Sequence, residues 1–132
     1  MSAKTPGGYG QDDGRWSDDQ NIDLSYGAQV PNGTAVYSGE IEVGSKAVLN
    51  LTLNVTQLGA THLDVTIWTR HTPADAWRVA QGGLNGTGLF AHVEATGSQT
   101  MGFLVDRRVR AEFHNAAAAT STSTLTGTAT GA

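Results

Sequence analysis

From Ala47 to Thr56 the chain alternates without interruption: Ala47, Leu49, Leu51, Leu53 and Val55 fall on one side, and Val48, Asn50, Thr52, Asn54 and Thr56 on the other. Successive side chains of an extended strand point to opposite faces, so a period of two with one apolar set marks a strand buried on one side and wet on the other. A helix would scatter the same residues around its circumference. Burying three Leu and one Val is worth roughly 6 to 12 kcal/mol before the entropy of ordering the chain is set against it. Such a face needs a second layer to cover it.

The same period returns after the turn signal Gln57-Leu58-Gly59-Ala60, where Leu63, Val65 and Ile67 alternate with Asp64, Thr66 and Trp68. A loop with Pro73 and Asp75 leads to a short strand near Ala76 to Ala80. Further strands are expected over Thr34 to Val43 (split by Gly39), Gly88 to Ala95, Thr100 to Val105, Arg108 to Phe113 and Ser121 to Thr130. No segment carries a 3.6-residue apolar period, and the Ala run 116–119 is too short to stand as a helix, so it reads as a turn. A length of 132 residues supports one core. The expectation is an all-β fold, a single antiparallel β-sandwich of about seven to eight short strands over residues 29–132. Without cysteine there is no disulfide and no thiolate chemistry, so stability rests on the core or on partners.

Residues 1–28 differ in character. They are rich in Gly and poor in aliphatics, and carry Asp12, Asp13, Asp18, Asp19 and Asp23 against Lys4 and Arg15, three of the four net negative charges. Such a segment makes no core of its own. Tyr9, Trp16, Ile22, Leu24 and Tyr26 punctuate it as spaced apolar points. Two readings stand: an extended acidic arm pinned to another surface, or a solvated tail.

Several function classes are disfavoured. The start MSAKTPGGYG has no apolar signal region, and no stretch approaches the roughly eighteen apolar residues of a membrane span, so the expectation is a soluble protein made without a signal peptide and without membrane association. The N-x-T triplets at Asn32, Asn50, Asn54 and Asn85 are then chance matches. A net charge of −4 gives no basic footprint for nucleic acid. No nucleophile elbow, phosphate loop or dinucleotide fingerprint occurs, and the glycine-rich run at 82–88 reads as a turn, so no catalytic residue and no cofactor is expected. His62, His71, His92 and His114 show no H-x-H or H-x-x-x-H spacing, and the Asp pairs of the arm lack an EF-hand's distal Glu, so no metal is expected either.

Two features suggest binding. Trp68 lies on the polar side of its strand, as a sugar-stacking aromatic of a carbohydrate-binding or receptor-adhesion module would, although such a residue also serves to cover a sheet edge. Trp77 reads as core or loop-anchoring packing. Arg108 and Arg110 share one strand face, with Glu112 next along it; they form either cross-strand ion pairs or a grip on a partner's carboxylates.

The run LDVTIWTRHTPADAWRVAQ, followed later by GFLVDRRVRAEFHNAAAATSTSTLTGTATGA, resembles small β-sandwich proteins from the structural gene blocks of tailed bacteriophages and phage-like particles. The shared pattern is an L-x-V-x-V/I strand, a short turn with a Trp, an R-V-R-like strand, and an Ala/Gly/Thr-rich hairpin into a final strand. Leu63, Val65, Ile67, Trp77, Arg108, Val109, Arg110, Leu125 and Gly127 carry it, across about residues 45–132. The loop Thr69 to Asp75 and the acidic arm depart from it. The resemblance implies a non-enzymatic virion protein that decorates or cements a capsid shell, or sits at a head or tail junction. Its expected partners are the major capsid protein or other particle subunits, in a high-copy assembly. On that reading Trp16, Ile22, Leu24 and Tyr26 anchor the arm on neighbouring subunits, Asp12, Asp13, Asp18 and Asp19 meet basic patches, and Arg108 or Arg110 makes a second contact.

Overall fold

The alternating stretch forms β4 (Val48–Gln57), and three further long strands share its logic: β5 (His62–Arg70), β10 (Arg108–Ala116) and β11 (Thr122–Thr130). This computed structural model describes residues 19–27, 29–31, 33–59, 62–84, 89–116 and 120–131. Among them lie seven further strands: β1 (Gln20–Asp23), β2 (Ala35–Tyr37), β3 (Ile41–Glu42), β6 (Arg78–Val79), β7 (Gln81–Gly82), β8 (Leu89–Val93) and β9 (Gly97–Leu104). The fold is an all-β sandwich. One sheet runs β1-β11-β4-β9-β7; in the other, β10 and β5 form the centre, with β2 and β3 along the free side of β10 and β6 and β8 along that of β5. Every pairing among these strands is antiparallel.

The inward set of each long strand meets between the sheets. Leu49, Leu51, Leu53, Val55, Phe103, Leu125 and Ala129 come from the first sheet, and Leu63, Val65, Ile67, Val109, Ala111 and Phe113 from the second, all essentially without solvent contact. Phe90 and Phe103 touch across the layers, ring centroids 5.4 Å apart. A register shift opposite Val65 and Thr66 lets the adjacent Phe90 and Ala91 both turn inward.

Short strands arise where one stretch of chain is interrupted or changes sheet. β2 and β3 lie end to end along β10, and between them Ser38 does a strand's work: its N–H bonds the Ala111 carbonyl (2.9 Å) and its Oγ accepts the Ala111 N–H (2.8 Å). β6 pairs with β5 and β7 with β9, so the chain crosses between the sheets at buried Ala80. Gly82 then sits at φ 112°, with its missing Cβ only 2.5 Å from where the Gly102 carbonyl oxygen lies. No other residue fits that corner.

The fully buried polar residues are paired, whereas Arg110 Nε and Ser123 Oγ are buried without a hydrogen-bond partner. Asn115 accepts from the Ser121 hydroxyl (2.8 Å), and Ser121 also exchanges backbone hydrogen bonds with Val30, so the chain entering the domain is tied to the last hairpin. Thr69 donates to the Arg108 carbonyl and accepts from the Asp106 N–H, each at 2.8 Å.

Two expectations need correction. Among the described residues the strands number eleven rather than seven or eight, because interruption and sheet crossing divide two expected strands into pairs, and because β1 was hidden in the acidic segment. The domain also begins before residue 29: Gln20–Asp23 pair along β11, Leu24 N–H bonds the Leu125 carbonyl (2.8 Å), and the Gln20 amide reaches the Glu42 carbonyl of the other sheet (3.2 Å).

Candidate functional site

Parity sends a different chemistry to each outer face. The first sheet shows Asn50, Thr52, Asn54 and Thr56 from β4, Thr124, Thr126 and Thr128 from β11, and Ser98 and Thr100 from β9. Neighbours hydrogen-bond across the strands: Thr52 and Thr100 share a hydroxyl contact of 2.8 Å, and Ser98 Oγ donates to Asn54 Oδ1 at 3.0 Å. Asp23 is the one charged residue in all the described strands of this sheet.

The second sheet carries the charge. Register places Arg108 directly opposite Arg70, a like-charge pair that is unfavourable by itself. Glu40 resolves it: Oε1 accepts from Arg70 Nη2 (2.7 Å) and Oε2 from Arg108 Nη1 (3.2 Å), while Glu42 takes Arg108 Nη2 (3.3 Å) and Arg107 Nη2 (3.4 Å). The Arg70 hydrogen bond first, and Arg108 after it, hold the Glu40 carboxyl below its ordinary range. Beside these pairs the Arg110 guanidinium lies between the Tyr37 ring (4.2 Å) and the Trp77 ring (4.5 Å), and Trp77 also covers Arg70 at 4.3 Å. The result is a ladder, Tyr37–Arg110–Trp77–Arg70, in which π faces alternate with cations. Arg70 further donates to the Pro73 and Asp75 carbonyls, pinning the loop that bears Trp77.

Toward the other end of β5 the same face holds His62 and Asp64, with His92 facing Asp64 from β8 and His114 facing it from β10. Asp64 Oδ1 lies 2.7 Å from His92 Nδ1, Asp64 Oδ2 lies 3.3 Å from His62 Nε2, and Glu94 Oε2 lies 3.1 Å from His92 Nε2. The Asp64 hydrogen bond, then that of Glu94, raise the His92 pKa. His62, Asp64 and His92 are the residues placed to share a metal ion, their ligand atoms all within 4.8 Å of one another.

The residues singled out from sequence fare differently. Trp16, Asp12, Asp13 and Asp18 lie outside the described residues, and Asp19 is exposed. Ile22 and Leu24 were expected to anchor on a partner; instead they are 3% and 0% exposed within the chain's own core, because β1 pairs with β11 and turns them inward. Tyr26 packs half-buried against that core. Glu112 does not pair with either Arg as expected: its Oε1 accepts the Trp68 indole N–H at 2.7 Å, and the counter-charges come from Glu40 and Glu42. Arg108 is thus ion-paired within the chain, while Arg110 is held by the Tyr37 and Trp77 rings and its buried Nε has no hydrogen-bond partner. Trp68 is half-buried with its N–H taken, and Trp77 anchors its loop. The histidine cluster escapes both the H-x-H and the H-x-x-x-H spacing, because its members come from two strands. The usable signal was His-apolar-acid occurring twice, His62-Leu63-Asp64 and His92-Val93-Glu94, which in strands puts both polar side chains on one face.

These features define a two-layer antiparallel sandwich whose polar groups are sorted by face. No protein-family model matches the chain, and no curated protein matches it. Among solved structures it is similar to the crystal structure of the SPBc2 prophage-derived protein YomS, with a TM-score of 0.54 and 10% identity, covering 86% of this chain and 96% of that chain. At that identity the likeness is one of fold.

Proposed function

We propose that this chain is a non-catalytic structural accessory protein of a phage or phage-like particle, a capsid decoration or cement protein that seats the outer face of its first sheet on particle subunits such as the major capsid protein. The observation that carries the reading is the sorting of charge. Hydroxyl and amide groups lose less on leaving water than ions do, and they re-form hydrogen bonds with a partner's polar groups. Interface cores are depleted in charge for that reason. A sheet whose described strands hold a single carboxylate at one edge is suited to burial against protein, while the ion-paired second sheet is suited to face solvent. The fold likeness to a prophage-derived protein supports the setting.

The test is co-sedimentation with purified particles of the parent phage or phage-like element. The unaltered chain is expected to sediment with them, and Asn50→Arg/Thr124→Arg, which plants two cations on the face at exposed positions that are not register partners, is expected to lower occupancy at least about tenfold while folding normally. Unchanged occupancy of the double variant would overturn the seating face; absence of the chain from particles would overturn the role. High copy number favours the shell over a tail or connector position.

A further inference from the structure

We propose that His62, Asp64 and His92 form a binding site for a divalent first-row transition ion of the zinc type, on the outer face of the second sheet. The nitrogen and carboxylate donors converge from two adjacent strands. His62 and Asp64 are two apart on β5 and so share a face, and the β5–β8 register sets His92 opposite Asp64. Two donor pairs are already 2.7 Å and 3.3 Å apart. A tetrahedral ion with bonds of about 2.0–2.1 Å separates its ligand atoms by roughly 3.4 Å, so small rotations of these side chains suffice to admit it.

Three further observations favour an ion over a simple hydrogen-bonded cluster. The two imidazole rings lie with centroids 4.3 Å apart, tilted by 38°, and both direct a nitrogen at the same carboxylate. Protonating both rings would set two cations side by side; one ion serves both while each stays neutral. Second, the nitrogen of His92 that faces away from Asp64 has its own acceptor, Glu94 Oε2 at 3.1 Å. A carboxylate behind a ligating imidazole fixes the ring and strengthens it as a donor. Third, His62, Asp64 and His92 side chains are 27%, 28% and 39% exposed, so an ion has a path in and a remaining coordination position faces solvent. Two imidazoles with one carboxylate suit zinc, cobalt, nickel or copper rather than calcium or magnesium.

The experiment uses the untagged full chain, stripped with chelator and titrated with Co2+ and then Zn2+. The expected result is saturable binding at one ion per chain, visible Co2+ absorption that Zn2+ displaces, and a Zn2+-dependent rise in melting temperature. His62→Ala and His92→Ala should each abolish the Co2+ bands. Glu94→Ala, which leaves all three ligands in place, should weaken binding roughly tenfold, and His71→Ala should leave metal binding unchanged. A second measurement needs no variant: paramagnetic Ni2+ at substoichiometric levels should broaden the ring resonances of His62 and His92 ahead of those of His71. Absence of saturable binding, binding that survives in a folded His62→Ala/His92→Ala chain, or uniform broadening of all the histidines would overturn the site.

Discussion

Asp106 gathers three donors at the end of the second sheet: His71 Nδ1–H at 2.8 Å, the Arg107 backbone N–H at 2.8 Å and Arg78 Nη2 at 3.2 Å. Its carboxyl is lowered to about 2 from an ordinary 3.8, the His71 hydrogen bond contributing most. The folded state thus binds this proton less readily than the unfolded chain. The stability it contributes is complete above about pH 4 and disappears as pH falls through about 2. Thermal melts across that window should show a fall that Asp106→Asn lessens, and equal slopes for both chains would contradict it. At this scale the sequence was partly readable. That Arg108 and Arg110 share a face follows from parity alone, whereas Glu40 as the group that reconciles Arg70 with Arg108 follows only from the packing of β2 and β3 on β10, which no local spacing encodes.

Strands with strict alternation were legible because burial on one face imposes it: β4, β5, β10 and β11 are all evident before folding is considered. β1 was not, since Gln20–Asp23 contains one aliphatic residue and owes its place to pairing with β11 and to Leu24 just beyond it. β11 also holds a constraint invisible in an Ala/Gly/Thr-rich run. A Cβ on Gly127 would overlap the Asn50 backbone carbonyl of β4, and backbone in the middle of a sheet has little room to yield. Gly127→Ala is therefore expected to destabilise by about 1–3 kcal/mol or more, seen as a lower urea midpoint, while Gly131→Ala, where nothing lies within 4 Å, should leave it unchanged.

Taken whole, the molecule separates what its composition mixes: one sheet carries hydroxyls and amides, the other the ion pairs, the cation–π ladder and three of the four histidines. A chain lacking residues 1–18 serves as the reference for the role of β1. A chain lacking residues 1–27 loses the inward Ile22 and Leu24, each worth about 1.5–3 kcal/mol, and should melt markedly lower; equal melting of the two truncations would show β1 to be dispensable. The two-faced arrangement was foreseeable strand by strand, but not the sorting of charge, because that depends on which strands join which sheet. Its last consequence concerns solubility. The first sheet's one carboxylate, Asp23, lies on edge strand β1, and the Ser25 N–H holds it ionised below the usual Asp range. Any strand added along that border would have to lie against this exposed anion, so a ribbon whose described strands are otherwise uncharged carries its own guard against growing into an endless one.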